Sequence, residues 1–204
     1  RQMAKQMAEL GRQLAAETAE VVFCAHDSIQ NAQAFYADMK LRTRACGREA
    51  DDIKIMPGLS VIVAETSEAA KAKLQQLQNL LHPRLGLALL SARIGHDLMD
   101  YELDKPLPPL PENLVISSRS DMIKSWSKVP GASGGEPTLR ELCQRFAASR
   151  GHYSIIGTPE DVANEMQRWL ENGACDGFNF VPSVYPSGLE DFVQPFFFGL
   201  RFDQ

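Results

Sequence analysis

Apolar and polar positions alternate along the chain in a way that predicts strands followed by helices. The clearest unit is residues 157–182, which contain a helix start, a helix, a stop and a short apolar strand without a gap. Thr158 is a favourable N-cap, Pro159 suits the first helical position, and Gly173 follows the last periodic residue. The predicted buried positions are Val162, Ala163, Met166, Trp169 and Leu170 in the helix, followed by Phe178, Phe180 and Val181 in a strand that opens at Asp176 and Gly177.

The same alternation occurs twice earlier in the chain. Residues 19–25 form a short β-branched run that predicts a strand, and a helix capped by Ser28 follows it and ends at Gly47. Residues 53–64 predict a second strand, and a long helix follows that strand. Strands and helices in alternation favour an α/β fold with a parallel sheet.

Proline marks two boundaries in this region. Because proline has no backbone N–H to donate, Pro57 and Gly58 predict a bulge or a strand end inside the second strand. Thr66 and Glu68 open the long helix, and Pro83 ends it.

The alternation lapses over residues 85–150, which we interpret as a functional insertion that covers a site. Residues 101–112 carry too many prolines for a helix interior or a central strand, and residues 129–137 predict a flexible stretch. Residues 138–149 return to a helical pattern. Residues 153–156 then predict an edge strand or an extended lead into the next helix.

Composition describes a soluble globular chain and argues against two classes of partner. Of the 204 residues, 44% are hydrophobic and 23% are charged, and the formal net charge is −5. No run is rich in lysine or arginine, and no segment reaches the roughly 20 apolar residues of a membrane span. We therefore expect binding to neither nucleic acid nor membrane.

The cysteines favour a reduced, cytoplasmic protein. Four are present, at Cys24, Cys46, Cys143 and Cys175. They form no CxxC pair and three lie in apolar or periodic segments, which favours buried thiols over a disulfide framework or a zinc site.

The first residues predict an amphipathic helix and no signal peptide. Its apolar face carries Met3, Met7, Leu10 and Leu14. We therefore expect the chain to begin inside folded structure.

Four segments, in this order and spacing, resemble one family. They are GRQLAAETAEVVF, FYADMKLRTRACGREADDIKIMPGLSVIVAET, HPRLGLALLSARIGHDLMDYELDKPLP and GTPEDVANEMQRWLENGACDGFNFVP. Each is weak alone, but together they are similar to the flavin-dependent monooxygenases of the bacterial-luciferase-like superfamily. Within it they resemble the subgroup of nitrilotriacetate monooxygenase component A and dibenzothiophene-sulfone monooxygenase, whose relatives include the EDTA and long-chain alkane monooxygenases.

The resemblance implies a (β/α)₈ TIM barrel with its site at the carboxyl ends of the strands. Residues 1–204 would form the C-terminal portion of one such domain, about strands 6 to 8, with the insertion at about residues 85–150. Residues 176–182 would supply the eighth strand. The N-terminal strands, which carry the catalytic residues in the family, are expected outside this chain, so the catalytic residues are not assigned.

The resemblance also implies the chemistry and the partners. Reduced FMN would be the co-substrate, supplied by a separate NAD(P)H-dependent flavin reductase. One oxygen atom of O₂ would enter a small organic substrate and the other would leave as water. A cytoplasmic homo-oligomer is the expected form.

The family binds the flavin phosphate at a turn that reads approximately A-G-x-S-x-x-G-R, with a serine hydroxyl and helix N-terminal amides as donors. The matching segment here is KQMAELGR, so the resemblance assigns Glu9, Gly11 and Arg12 to cofactor binding. Ala8 stands where the family has serine. The residues alone also allow one continuous amphipathic helix, residues 3–16, in which Arg12 is solvated.

Two histidines are further candidates. His26 lies just beyond the first strand, where it would either contact substrate or flavin or be an ordinary surface residue. His96 precedes Asp97, but no third ligand stands at metal-binding spacing, and the family needs no metal. We therefore predict no metal site.

The C-terminal region offers three more pocket candidates. Asn179 either lines the pocket or faces the helices outside the barrel, and Pro182 and Tyr185 follow the same strand. An aromatic run near the C-terminus, Phe196, Phe197 and Phe198, predicts either core packing of the closing helix or an exposed patch.

Two functions from different classes follow. The first is a two-component FMN-dependent monooxygenase. The second is a non-catalytic flavin-binding or structural homologue, or an inactive fragment of such an enzyme. No nucleophile arrangement, paired acid/base carboxylates or phosphate-binding glycine loop supports acyl or phosphoryl transfer.

Overall fold

The computed structural model describes residues 2–110, 126–131 and 134–195, with the backbone alone at residues 2–5. The helices are α1 Gln2–Thr18, α2 Ile29–Ala45, α3 Ser67–Leu80, α4 Pro83–Ile94, α5 Leu139–Ser149, α6 Pro159–Glu171 and α7 Ser187–Val193. The strands are β1 Val21–Cys24, β2 Lys54–Val63, β3 Tyr153–Gly157 and β4 Asn179–Phe180. The aromatic run Phe196, Phe197 and Phe198 lies outside the described residues.

The described part of the chain forms two compact units. One comprises Met7–Gln75 and Gly151–Gln204, and it contains all four strands. The other comprises Arg1–Gln6 and Gln76–Arg150, and it contains α4 and α5.

The four strands form one parallel sheet, as the alternation of strands and helices predicts. The first half of β2 pairs with β1, from Val21↔Lys54 to Cys24↔Pro57, and the second half pairs with β3 from Leu59↔Tyr153 onward. The short strand β4 pairs with β2 at two positions. The region predicted as an edge strand or extended lead is therefore a strand, β3, at one end of the order β1-β2-β3.

The predicted bulge or strand end at Pro57 and Gly58 is wrong, because β2 runs unbroken through both residues. Pro57 is the last β2 residue that pairs with β1, and pairing with β4 begins at Gly58. The carbonyls of Ile55 and Leu59 accept from Asp176 and Val181, so position 57, midway between them, faces the β4 edge and not β1. The missing proline N–H therefore leaves the ladder with β1 intact, and a ten-residue strand accommodates it.

One face of the sheet is covered by helices. Leu59, Val61 and Val63 of β2 form a buried cluster with Ile155 of β3 and Val162 of α6. A neighbouring cluster joins Ile53 and Ile55 to Ala16 of α1 and Met39 of α2. These clusters supply the hydrophobic burial that holds the helices against the sheet.

Helix α6 follows the prediction at its start, where Thr158 and Asp161 form a reciprocal capping box and Pro159 occupies the first turn. Val162 and Trp169 are buried as predicted. Leu170 is not, because it is 45% exposed at the edge of the helix face. The strand after the helix is shorter than predicted, two residues, although the N–H of Val181 still donates to the carbonyl of Leu59 at 2.8 Å.

The unit of residues 76–150 contains a helix that the sequence pattern missed. Pro83 begins α4 after α3 has already ended at Leu80. Gly95, in the left-handed conformation, ends α4. The apolar residues of α4 are nearly continuous, so no helical period stands out. Leu87, Leu90 and Ile94 of α4 pack with Leu139, Leu142 and Cys143 of α5 in one buried cluster.

Hydrogen bonds hold the start of residues 129–137, which the sequence predicts to be flexible. The Arg145 guanidinium donates to the carbonyls of Trp126 at 2.9 Å, Val129 at 3.1 Å and Pro130 at 2.8 Å. The capping box of Thr138 and Glu141 then begins α5, where a helix is predicted.

Helix α1 is continuous, and its apolar stripe is exposed. Met7 and Leu10 are each 67% exposed and Leu14 is 61% exposed, whereas Ala16 on the opposite side is fully buried. No helix in the described part of the chain is long and apolar enough to cross a membrane.

Candidate functional site

The face of the sheet away from the helices, which we call the open face, carries the candidate site. Side chains alternate between the two faces of a strand, so the residues between the helix-packed positions define it. Its members are Val21 and Phe23 of β1, Lys54, Met56, Gly58, Ser60 and Ile62 of β2, His152 with Ser154 and Ile156 of β3, and Asn179 of β4.

The structure decides between the two interpretations of Asn179. Phe180 packs with the helix-side cluster of Leu59 and stacks on Phe192 of α7 at 4.1 Å between ring centroids. Phe178 belongs to the same side. Asn179 therefore points to the open face, where it is exposed.

A histidine that the sequence analysis did not single out lies across the centre of this face. The Cβ of any side chain at Gly58 would lie 2.4 Å from Nδ1 of His152, so the imidazole occupies that space. Phe23 lies beside it, with ring centroids 5.5 Å apart. Asn179 pairs directly with Gly58 in the register of β2 and β4.

Three serines add polar groups. The hydroxyls of Ser60 and Ser183 lie 3.3 Å apart, and Ser154 pairs with Ser60 in the register of β2 and β3. Oγ of Ser154 is buried and has no hydrogen-bond partner among the described residues. A buried hydroxyl without a partner is costly, so this atom marks a position where a ligand or another polar group completes the site.

His26 lies beyond the carboxyl end of β1. Its ring packs on Phe35 of α2 at 5.0 Å between centroids, and its buried Nε2 has no partner in the described part of the chain. Burial lowers the pKa of His26, Asp27 opposes this and Arg12 adds to it, so the ring is neutral near pH 7. A neutral imidazole offers one donor and one acceptor to a ligand.

The residues assigned to FMN lie in the second and third turns of α1, where backbone amides are used within the helix. Arg12 donates to Asp38 of α2 at 2.9 Å, and Glu9 accepts from Arg42. Burial raises the pKa of Asp38, but the two arginines outweigh it and hold the pKa below its usual value. Apart from the neighbouring residues and backbone of α1, no atom of the described residues comes within 4 Å of where a Cβ of Gly11 would stand.

His96 is committed to a local contact. Its Nε2 lies 2.9 Å from the Tyr101 hydroxyl, and Asp97 accepts the N–H of Met99 at 2.9 Å. The described residues contain no group of three or more side chains placed to hold a metal ion.

A cavity of about 820 Å³ lies at the carboxyl end of β2. Its lining includes Lys73 of α3 and Asp191 of α7, whose side chains form an ion pair at 2.6 Å. Lys73 also donates to the carbonyl of Val63 at 3.1 Å. Because this cation is already paired, the open face is the stronger candidate. Tyr185, which follows β4, is 71% exposed.

Three of the thiols, Cys24, Cys143 and Cys175, are not suited to nucleophilic chemistry. All four cysteines are free, and Cys143 and Cys175 are buried. Burial raises the pKa of Cys24 to about 12 and those of Cys143 and Cys175 to about 11. The reactive thiolate is therefore scarce near neutral pH.

The chain is similar to a known family and to several named proteins. The luciferase-like monooxygenase family model matches residues 7–176. The chain is 44% identical over 186 residues to the N-acetyl-S-(2-succino)cysteine monooxygenase of Bacillus subtilis (strain 168), covering 90% of this chain and 41% of that protein. It is 40% identical over 185 residues to the nitrilotriacetate monooxygenase component A of Aminobacter aminovorans, covering 90% and 40%.

The fold of the chain is also similar to that of a solved structure. The crystal structure of DmoA from Hyphomicrobium sulfonivorans superposes with a TM-score of 0.76 at 30% identity, covering 90% of this chain and 37% of that one. The chain thus spans about two fifths of the length of the relatives it matches. Its parallel sheet corresponds to part of the (β/α)₈ barrel of those relatives, as predicted. The chain belongs to the luciferase-like monooxygenase family.

Proposed function

We propose that the protein is a two-component monooxygenase that uses reduced FMN from a separate flavin reductase to place one oxygen atom of O₂ in a small organic substrate. The observation that carries this proposal is the family match over residues 7–176, together with two relatives at 44% and 40% identity that are both named monooxygenases.

The open face fits a flavin. A flavin ring has two apolar faces and a polar edge, and its site must offer both kinds of contact. Phe23, 55% exposed, supplies apolar surface, and the buried hydroxyl of Ser154 supplies a hydrogen-bonding group. When bound, reduced flavin supplies the activation of O₂, while the chain orients the ring and excludes water.

For the phosphate of FMN we propose Glu9, Gly11 and Arg12. Arg12 offers a guanidinium that Asp38 orients at 2.9 Å, and the open space beside Gly11 allows close approach. Glu9 takes part by pairing with Arg42, which keeps a second guanidinium beside this helix.

Replacing Arg12 with alanine is expected to weaken FMN binding about tenfold, the value of roughly one charge-assisted hydrogen bond. Titration of FMN fluorescence with the intact protein measures this. Riboflavin, which lacks the phosphate, is the matched ligand and should bind both proteins alike. Arg44→Ala, at an exposed position on α2, is the matched variant. Equal FMN affinity in Arg12→Ala and the unaltered protein would remove Arg12 from the site.

For the substrate we propose a small polycarboxylate. The two relatives at 44% and 40% identity are named for nitrilotriacetate and N-acetyl-S-(2-succino)cysteine, which both carry several carboxylates. The residues that define the open face include His152, whose imidazole N–H can donate to a carboxylate, and no aspartate or glutamate; Lys54, at the amino end of β2, pairs with Asp51 at 3.8 Å. A face without carboxylates does not repel an anionic ligand.

Oxygen uptake tests the proposal. With a flavin reductase, NADH and FMN, the intact protein should consume O₂ faster when nitrilotriacetate or N-acetyl-S-(2-succino)cysteine is added than when a sulfone or an alkane is added. A faster response to the sulfone or the alkane would contradict the substrate class. Peroxide release that is unchanged by every substrate would contradict the enzyme.

Peroxide release that no substrate changes would favour the second candidate, a flavin-binding homologue without activity. One observation supports it: Ala8 occupies the position where the resembled turn has a serine. Ala8→Ser separates the two candidates, because restored FMN affinity with no substrate-dependent uptake fits only the inactive homologue.

A further inference from the structure

The imidazole of His152 rests directly on the backbone of β2. A Cβ at Gly58 would lie 2.4 Å from Nδ1, 2.8 Å from Cε1 and 2.9 Å from Cγ of that ring. All three distances are shorter than real Cβ contacts allow, so any side chain at position 58 displaces the ring.

Space, and not backbone conformation, explains the glycine. Gly58 lies inside a regular strand and does not have the positive φ that favours glycine. Glycine within a strand weakens it and often marks a close approach by another group. Here that group is the His152 ring, which Phe23 flanks at 5.5 Å.

The register places an amide opposite this ring. Leu59 pairs with both Tyr153 and Phe180, so β3 and β4 lie on opposite edges of β2. One position earlier, His152 and Asn179 therefore flank Gly58 from the two sides. Neighbouring strands are about 4.8 Å apart, so a ring over Gly58 lies close enough to Asn179 for one small group to contact both.

We infer that Gly58 is a positioning residue that seats the His152 imidazole on the open face, and that His152 and Asn179 together bind one carboxylate of the substrate. This inference rests on the proposed function. An imidazole N–H and an amide N–H are both donors, and a carboxylate accepts from two donors at once. The gap at Gly58 then sets substrate specificity without contacting the substrate.

A double-mutant cycle tests the positioning role. Gly58→Ala and His152→Ala are each expected to raise the KM for the polycarboxylate about tenfold, the loss of about one hydrogen bond to a charged group. The double variant should be no worse than His152→Ala, because Gly58 acts only through the ring. Additive effects would overturn the inference.

A readout without turnover separates this inference from the proposed function. In the ligand-free protein, the NMR signal of the His152 ring should shift in Gly58→Ala and stay unchanged in Gly188→Ala, where a Cβ meets only ordinary contacts at 3.8 Å or more. An unshifted signal would overturn the positioning role. A shifted signal with no binding of nitrilotriacetate by calorimetry would overturn the carboxylate contact and the substrate class, and would leave the flavin chemistry untouched.

His152→Gln, which keeps an N–H donor, should recover part of the KM lost in His152→Ala. No recovery would count against hydrogen bonding as the role of this side chain. If Gly58→Ala does not fold, the double variant, which has room for the alanine, carries the comparison with His152→Ala.

Discussion

Replacing Asp176 with alanine is expected to lower the free energy of unfolding by about 3–5 kcal/mol, the cost of breaking a buried ion pair by removing one partner. The carboxylate accepts from the N–H of Ile55 at 2.8 Å, the Tyr36 hydroxyl at 2.9 Å and the Lys40 ammonium at 2.9 Å. The Lys40 side chain is only 7% exposed and also donates to the carbonyls of Ala50 and Ile53. Without Asp176 its charge remains buried, and the only nearby carboxylate among the described residues' ion pairs is that of the exposed Asp51.

This network lies at the amino end of β2, where barrel residues serve stability. Urea denaturation of Asp176→Ala should be compared with Asp51→Ala, which removes an 87% exposed carboxylate 3.9 Å from the same lysine. The control should change stability by less than about 1 kcal/mol. Similar losses in the two variants would show that burial does not set the strength of the pair.

The same carboxylate gives the protein a dependence on acid. Burial raises the pKa of Asp176, but the Ile55 N–H, Lys40 and Tyr36 outweigh it and hold the pKa below its usual value. A lowered folded pKa means that the stabilisation is present above about pH 4 and is lost as pH falls below it toward the folded pKa. Asp176→Asn should flatten that part of the stability curve.

Replacing Trp169 with alanine is expected to cost about 3–5 kcal/mol, the range for removing a buried aromatic side chain. Trp169 is 1% exposed and packs on Tyr153 at 4.7 Å and Phe178 at 6.1 Å between ring centroids. Its indole N–H donates to Glu165 at 3.1 Å. The side chain thus links α6 to Tyr153 of β3, which precedes the helix, and to Phe178, which lies just before β4.

Leu170→Ala, on the same helix one residue further, is the matched control. Leu170 is 45% exposed, so its removal should change the free energy of unfolding by about 0.5 kcal/mol or less. Thermal or urea unfolding monitored by circular dichroism measures both variants. A larger loss for Leu170→Ala than for Trp169→Ala would contradict the helix orientation.

The sequence correctly predicted the features that depend on interactions between residues close together in the chain. Thr158 and Ser28 cap their helices as expected, because capping depends on a few neighbouring atoms. Gly47 has φ +77°, as a helix stop requires. Helix α4 was missed because its apolar residues lie on all sides, and Leu170 was misplaced because a helical period does not show how wide the buried face is.

The other features depend on which strands pair with one another, and the sequence does not show this pairing. Pro57 interrupts a ladder only if it faces a partner that needs its N–H, and the sequence does not show which edge of β2 position 57 faces or where β4 begins. The set of residues on the open face also depends on how the strands pair. Glycine in a strand indicates that another group lies close to the backbone, so Gly58 could have pointed to the nearby ring of His152. The pair Pro57-Gly58 more readily suggests a strand break, and this is how we interpreted it. The apolar stripe of α1 predicted a helix correctly and not that Met7 would be exposed.

The most direct test of the central claim is the fate of labelled oxygen. The intact protein, supplied with reduced FMN by a reductase and with nitrilotriacetate or N-acetyl-S-(2-succino)cysteine under ¹⁸O₂, should transfer one labelled atom to the organic product and the other to water. Mass spectrometry of the product measures this. Product that contains oxygen only from water, or oxygen consumed entirely as peroxide with the substrate intact, would contradict a flavin-dependent monooxygenase.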